Sequence, residues 1–249
     1  MSGHSKWSTI KHKKAKTDAV RGKVFTKIIR EIVSAAKQGG GDIEANPRLR
    51  LAVDKAREAN MPSDNIDRAI AKATGTGEGM TIDEVTYEGY GPSGVAVMIE
   101  AMTDNKQRTV AEIRNIFTKA GGNMGSSGCV SYLFNKKGSL VFDKAGIDED
   151  ALGLEAIEAG AEDLHSEEST IEIVTSPENY QKVKDALKAK GFTPSSSEVT
   201  MVPTTTVKVT GDDAPKVIKL VQTLEDHDDV QNVYANFDIP DDILEKESQ

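Results

Sequence analysis

The chain has 249 residues, a length that fits two or three domains of ordinary size better than one. Hydrophobic residues make up 37% of it, too many for a disordered chain, and aromatic residues only 5%, which indicates several small cores. The sequence contains no run of about 20 apolar residues, which excludes a membrane-spanning helix, and no apolar signal segment near residue 1. Its single cysteine, Cys129, excludes a disulfide framework and a zinc site built from several thiolates. We therefore expect a cytoplasmic protein.

The charges are divided unevenly along the chain. The formal net charge is −9, yet residues 1–72 hold 16 basic and 8 acidic side chains, and residues 1–37 alone carry a net charge of +8. Residues 73–249 hold 15 basic and 32 acidic side chains. A basic end on an acidic body predicts a module that binds a polyanion, attached to a body that repels it.

Residues 1–75 are predicted to form a basic helical domain. Apolar residues recur at helical spacing from Thr17 until the glycines at 39–41, where the first helix should end. Asn46 followed by a proline predicts the start of a second helix, and Pro62 precedes a third. Because short amphipathic helices can bury their apolar faces only against one another, we predict a three-helix bundle.

Beyond residue 82 the pattern alternates strands with helices. Residues 138–203 give the order strand, helix, strand, strand, helix, strand, which is the order of a ferredoxin-like α+β domain. The flanking segments 94–134 and 205–237 supply a second set of the same kind, in which 129–134 and 205–209 are predicted strands.

The fold class that follows is a multidomain α+β protein. We predict the three-helix bundle and two ferredoxin-like α+β domains, one inserted in the other; two unrelated, consecutive α+β pieces are the alternative. The predicted boundaries are 1–75 for the helical domain, 82–135 and 204–240 for the discontinuous domain, and 136–203 for the inserted one.

The residues before the first helix are typical of a nucleic-acid contact. Five lysines and a histidine lie within eleven residues, Lys6-Trp-Ser-Thr-Ile-Lys-His-Lys-Lys-Ala-Lys. Lysine ammonium groups bind phosphates without reading sequence, and a tryptophan can stack on an exposed base, although Trp7 could instead anchor this segment to the bundle. The predicted contacts continue along the polar face of the first helix, giving Lys6, Trp7, Lys11, His12, Lys13, Lys14, Lys16, Arg21, Lys23, Lys27 and Arg30.

A second basic group opens the helix that Thr103 and Asp104 are predicted to cap. Lys106 and Arg108 lie in its first turn and Arg114 further along. These three are a candidate secondary contact with phosphate or RNA, and a solvated surface is the alternative.

No motif points to catalysis, a cofactor or a metal. The serines lack a G-x-S-x-G elbow, and the glycine-rich loop at 121–128 lacks the Lys-Ser/Thr of a P-loop, so turn chemistry explains it better. The histidines at positions 4 and 12 have no other type of metal ligand nearby, and the acidic cluster 225–229 lacks the spacing of a calcium loop. Cys129 is expected to be a buried, inert thiol in a strand. We expect a protein that is not an enzyme and holds no metal and no cofactor.

Several long motifs resemble the YebC/PmpR family, in collinear order from residue 3 to about 237. They are Gly3-His-Ser-Lys-Trp, Arg21-Gly-Lys-Val-Phe-Thr-Lys, Gly39-Gly-Gly-Asp, Asn46-Pro-Arg-Leu-Arg, Tyr87-Glu-Gly-Tyr-Gly-Pro-Ser-Gly, Arg108-Thr-Val-Ala-Glu-Ile-Arg, Gly121-Gly-Asn-Met-Gly and Glu158-Ala-Gly-Ala-Glu-Asp. The resemblance implies a helical first domain, two α+β domains and control of gene expression through nucleic acid. Members of the family are described mostly as DNA-binding transcriptional regulators; mitochondrial relatives act as translational activators, and some bacterial members are linked to ribosomes stalled on proline-rich sequences.

We therefore expect a DNA-binding transcriptional regulator. The main alternative is a translation factor that binds ribosomal RNA on the ribosome, because the sequence shows no helix-turn-helix with base-reading side chains and no evident dimer element. A protein-interaction or ligand-sensing module is the third hypothesis. No pattern in the sequence predicts an oligomeric state.

Overall fold

The computed structural model of the protein describes residues 18–75, 82–167, 169–240 and 243, with the backbone alone at 18–21. Within these ranges it contains seven α-helices: α1 (Asp18–Gly39), α2 (Pro47–Glu58), α3 (Ser63–Thr74), α4 (Lys106–Lys119), α5 (Glu149–Ala159), α6 (Tyr180–Ala189) and α7 (Asp213–Glu225). The strands of the same ranges are β1 (Asp83–Tyr90), β2 (Ala96–Thr103), β3 (Asn123–Met124), β4 (Phe134–Asp143), β5 (Asp163–Ser166), β6 (Thr170–Thr175), β7 (Ser196–Pro203), β8 (Val207–Lys208), β9 (Val230–Ala235) and β10 (Phe237–Asp238). The protein is a mixed α+β structure.

The first three helices pack around one apolar core, as their spacing predicts. Ile32 of α1 and Leu49 and Val53 of α2 are among its fully buried side chains. Asn46 caps α2 by accepting a hydrogen bond from the Leu49 N–H at 3.1 Å, and its amide group donates to the carbonyl oxygen of Ala35 at 2.8 Å. The predicted start of the second helix is confirmed, and the same side chain joins it to α1.

The first four-stranded sheet has the order β3-β1-β2-β9 and is antiparallel throughout. The hairpin of β1 and β2 pairs Asp83 with Thr103 and Tyr90 with Ala96. Helices α4 and α7 supply Phe117 and Leu220 to the core of this unit, in which Ile99 of β2 is fully buried.

The second four-stranded sheet has the order β5-β6-β4-β7, again antiparallel, and is built from the continuous segment 134–203. Its core contains Leu140 and Phe142 of β4, Leu152 of α5 and Leu187 of α6. The predicted order of strand, helix, strand, strand, helix and strand is confirmed in this segment.

One predicted strand is wrong, and another is confirmed only in part. Residues 129–133 do not form a strand: Ser131–Leu133 is a single 3₁₀ turn, because the Glu88 carboxylate takes the N–H groups of Val130 and Ser131 that a ladder would need. The segment predicted at 205–209 contributes only β8, which pairs in parallel with β10 outside the large sheets. It does not join the first sheet, in which β1 pairs with β2 instead. A tight turn at 91–95 connects these two strands.

The cap of α4 also differs from the prediction. Asn105, not Thr103 or Asp104, caps the helix, and its side chain accepts a hydrogen bond from the N–H of Arg108 at 3.1 Å. Thr103 is fully buried, and its hydroxyl accepts from the N–H of Asn105 at 2.9 Å.

Candidate nucleic-acid interface

The predicted contact residues divide into two groups. Lys6, Trp7, Lys11, His12, Lys13, Lys14 and Lys16 lie outside the described residues, and Arg21 is described only as part of the backbone of α1. Lys23, Lys27 and Arg30 lie on α1 at intervals of four and three residues, and therefore on one side of the helix, opposite its apolar stripe. We call these three residues the basic face.

Residues 225–229, which we call the acidic segment, cover the basic face. The Lys23 ammonium lies 3.3 Å from Asp226 Oδ1, and Lys27 Nζ donates to the carbonyl oxygen of Glu225 at 2.7 Å. The carbonyl of Glu225 belongs to the last turn of α7, where carbonyl groups lack helical partners and the helix dipole attracts cations.

Arg30 makes the most enclosed of these contacts. Its guanidinium donates to the carbonyl oxygen of Asp228 and lies 2.8 Å from Asp229 Oδ1. The exposed fractions of the two side chains are 16% for Arg30 and 3% for Asp229. The basic face therefore meets the protein's own acidic groups.

Asp229 also has partners inside its own unit. Its Oδ2 accepts hydrogen bonds from the hydroxyl of Thr109 at 2.6 Å, from Arg108 at 2.8 Å and from the hydroxyl of Thr103 at 3.1 Å. Burial opposes ionisation, but these bonds and the charge of Arg30 outweigh it and hold the pKa of Asp229 below its ordinary value. One carboxylate therefore joins the bundle, β2 and α4.

A second carboxylate joins the bundle to the first sheet. Glu84 of β1 accepts hydrogen bonds from the hydroxyl of Ser34 on α1 and from Arg48 on α2. Partial burial raises the pKa of Glu84, but the hydrogen bonds from these two partners lower it by a larger amount. The pKa of Glu84 is therefore below its ordinary value.

The secondary basic group is also largely paired. Lys106 lies 3.2 Å from Asp83 Oδ1, and Arg108 bridges Asp104 and Asp229 at 2.8 Å each. The pKa of Arg108 is raised by its hydrogen bonds to those two carboxylates. Arg114 is exposed on α4. Of the three predicted secondary contacts, two therefore hold neighbouring acids.

His227 lies between two carboxylates. Its Nδ1 accepts the N–H of Asp229 at 3.1 Å, which leaves Nε2 to donate to Glu112 at 2.8 Å. Glu112, His227 and Asp229 each have one potential metal-ligand atom, and these three atoms lie within 4.8 Å of one another, a spacing compatible with a metal ion. Each of these groups is already hydrogen-bonded, so the arrangement is explained without an ion.

The glycine-rich loop closes on Glu88 of β1. The Glu88 carboxylate is 4% exposed and accepts three backbone N–H groups, those of Gly128 and Val130 at 2.7 Å and that of Ser131 at 2.8 Å. Gly122 is required here because a Cβ would lie 2.6 Å from the carbonyl oxygen of Tyr90. Glycine therefore permits close backbone packing here, and residues 123–124 of the same segment pair with β1 as β3.

Cys129 lies in this loop and is partly buried, rather than buried in a strand. Burial and the nearby charge of Glu88 raise the pKa of its thiol, which disfavours the reactive thiolate.

A polar cleft of about 640 Å³ opens between the bundle, the first sheet and β7. The acidic side chains that line it have partners within the chain: Glu31 pairs with Lys55, Glu84 with Arg48, and Glu100 accepts hydrogen bonds from two side chains of β9. The cleft therefore presents no unpaired acidic cluster to a ligand.

Sequence reasoning missed the buried carboxylates Glu88 and Asp229 and the more exposed Glu84. The available signal for Asp229 is its place in an acidic run directly after an amphipathic helix. In the described part of the chain, no helix is long and apolar enough to cross a membrane.

Comparisons with known proteins cover nearly the whole chain. Residues 5–76 match the family described as "TACO1/YebC protein N-terminal domain", and residues 82–237 match "TACO1/YebC second and third domain". A "Probable transcriptional regulatory protein" of Dictyoglomus turgidum is 57% identical over 246 residues, 98% of this chain and 99% of its own length. One of the same name from Syntrophus aciditrophicus is 60% identical over 247 residues, 99% of each chain.

One solved structure is also similar over most of its length. The "Conserved Hypothetical Protein Aq1575 from Aquifex Aeolicus" superposes with a TM-score of 0.78 at 50% identity, covering 92% of this chain and 94% of that one.

Proposed function

This chain belongs to the TACO1/YebC family, and from that premise we propose that it is a non-enzymatic regulator of gene expression that binds DNA through its basic amino-terminal part. The name that its curated relatives carry supports a regulatory role. The observation that carries the binding proposal is the segregation of charge: residues 1–37 have a net charge of +8, whereas residues 73–249 have a net charge of −17.

The internal contacts of the basic face sharpen this proposal. Because Lys23, Lys27 and Arg30 hold the acidic segment, the lysines of residues 6–16 are the first candidates for phosphate contacts. Each phosphate that a lysine neutralises should contribute about −0.9 to the slope of log affinity against log salt.

Ribosomal RNA is the second candidate target, favoured by the geometry of α2 and α3. Four residues connect these helices, the length of a helix-turn-helix connection, and α3 would be the helix that enters the major groove. The first turns of α3 expose Asp64 and Asp67, whose carboxylates repel phosphates. Among the common contacts between side chains and bases, a carboxylate accepts a hydrogen bond only from the amino group of cytosine. A target recognised by shape does not need a base-reading helix.

We also propose that the two four-stranded sheets belong to two ferredoxin-like domains, one inserted in the other. The strand order of the second sheet, with helices after its first and third strands, supports this for 134–203. In the first sheet β1 takes the position of the third strand, so that this domain is a permuted form of the same arrangement.

The test is to compare binding to a labelled DNA duplex, to promoter fragments and to purified ribosomes at one near-physiological salt concentration. The variant Lys11/Lys13/Lys14/Lys16→Ala should lose most of the binding and about 0.9 of salt slope for each contact removed. The control Lys182/Lys188/Lys208/Lys219→Ala removes the same charge from exposed positions of the acidic body and should bind like the wild type.

Tight binding to particular promoters would support the DNA target. Stoichiometric ribosome binding with weak, sequence-independent DNA binding would replace that target with ribosomal RNA. Equal losses in the variant and its control would contradict the amino-terminal site.

A further inference from the structure

The basic face is less exposed than its position on α1 predicts. It lies opposite the helix's apolar stripe and would face solvent in the bundle alone, yet only 16% of the Arg30 side chain is exposed. The groups that cover it are the Asp226 and Asp229 carboxylates and the carbonyl oxygens of Glu225 and Asp228.

These covering groups present the chemistry of a nucleic-acid backbone. Anionic or partly negative oxygens follow one another along the acidic segment and meet cations at hydrogen-bond distance, as successive phosphate oxygens would. Lysine and arginine side chains that hold such oxygens have part of their charge neutralised and some of their donors occupied, so they bind phosphates less tightly.

We propose that the basic face is a nucleic-acid-binding surface that the acidic segment covers, so that nucleic acid must displace the acidic segment to bind there. The inference rests on the proposed function, because it assumes that the partner is a nucleic acid. It adds that the protein has a closed form, seen here, and an open form in which Lys23, Lys27 and Arg30 are free to bind phosphates.

The network around Asp229 makes such an exchange feasible. When Arg30 leaves, Asp229 keeps Arg108 and the hydroxyls of Thr103 and Thr109, so no buried carboxylate is left unpaired. The Lys23–Asp226 pair is exposed on both sides, at 47% and 68%, and pairs of that kind contribute little.

The contacts of Glu84 with Ser34 and Arg48 are the point about which we infer that the bundle rotates. Ser34 lies 11 residues beyond Lys23 on α1, about 16 Å along the helix axis. Glu84 is the second residue of β1, so these contacts lie at the edge of the first sheet where β1 begins. The start of α1 can therefore swing away from the acidic segment while the contacts at Ser34 and Arg48 persist.

A cleavable tether tests the proposal in the full chain. In a Cys129→Ser background, Lys23→Cys and Asp226→Cys are joined by a bismaleimide that contains a disulfide, which a reductant later cuts. We expect the tethered protein to bind a labelled DNA duplex of mixed sequence and a ribosomal RNA fragment about tenfold more weakly than the same protein after cutting, because the two remaining cations of the basic face, Lys27 and Arg30, are withheld from phosphates.

The control tether joins Glu31→Cys to Lys55→Cys, which form an ion pair between α1 and α2 inside the bundle. It carries the same chemistry on the same helix and should leave affinity unchanged before and after cutting.

The outcomes separate the two proposals. Equal affinity of the tethered and cut proteins would overturn the covered surface and leave the amino-terminal site intact. Absence of salt-dependent nucleic-acid binding by the cut protein and by the wild type would overturn the proposed function, and the covered surface with it. Weakening by both tethers alike would also overturn the covered surface, because the loss would then not depend on the acidic segment.

Discussion

Glu88 and Asp229 are both buried carboxylates whose charge is stabilised by hydrogen bonds, but their partners lie at different distances along the chain. Both have a pKa held below its ordinary value although burial acts in the opposite direction. Glu88 is stabilised by backbone N–H groups of one loop that starts 40 residues further along the chain, whereas Asp229 is stabilised by side chains of three elements, one of them almost 200 residues away.

The difference indicates what each carboxylate controls. Glu88 fixes the path of the loop at 128–131 and touches no other unit. Asp229 connects the bundle to the first sheet, so a change there should alter both the stability of that sheet and the position of α1. Charged groups can therefore specify either a local turn or the relation between units, depending on where their partners lie in the sequence.

The largest expected effect is that of Asp229→Ala. It removes the carboxylate that the buried hydroxyls of Thr103 and Thr109 share with Arg30 and Arg108, and should lower the free energy of unfolding by about 3 kcal/mol. Urea denaturation measures this, and Asp228→Ala, which removes an exposed acid next to it, should change the value by less than about 0.5 kcal/mol. Equal effects of the two substitutions would mean that net charge, and not the network, is responsible.

Glu88→Gln should cost about 2 kcal/mol at neutral pH, because an amide replaces the charged acceptor of three N–H groups. Its pH dependence follows from the lowered pKa: the stabilisation by Glu88 is complete above the unfolded pKa of about 4.3 and is lost as the pH falls through the lower folded value. The difference in unfolding free energy between wild type and variant should therefore shrink towards zero in acid. A difference that stays constant from neutral pH to about pH 2 would refute this role of the ionised carboxylate.

Arg30→Ala should have a smaller effect, about 1 kcal/mol, because Asp229 keeps Arg108. Hydrogen exchange should accelerate in α1 near residues 22–30 while α2 keeps its protection, since the core of the bundle is not touched. Faster exchange throughout the bundle would show instead that Arg30 supports the fold of the bundle itself.

The smallest expected effect is that of Lys23→Ala, within about 0.5 kcal/mol, because both partners of its ion pair are exposed. Comparing unfolding at low and high salt checks the cause, since any contribution of this pair should disappear at high salt. A loss as large as that of Arg30→Ala would show that the exposed end of the contact matters as much as the buried end.

The sequence predicted those elements whose signals are local. The stripe of Ile28, Ile32 and Ala36, the cap at Asn46 and the helical pattern of α5 each depend on residues within a few turns of one another, and the structure confirms them. The family was also recognisable from its motifs, and the matched domains confirm it.

Prediction failed where distant groups compete for the backbone. Residues 129–134 have the composition of a strand, but Glu88 removes N–H groups that the strand would use. Residues 205–209 also have the composition of a strand. They do not pair with β2, because β1 is joined to β2 by a tight turn and pairs with it along that edge. No local pattern shows which of two apolar segments will reach a sheet edge.

The sequence by itself determined the helical bundle, the α+β body and the opposite charges of the two, because periodicity, capping and net charge depend on residue types and short spacings. Only the tertiary structure decided that Lys23, Lys27 and Arg30 meet the acidic segment, 198 to 203 residues further along the chain. Electrostatic attraction acts on distance in space, and the separation of these groups is fixed only when the bundle and the first sheet pack together.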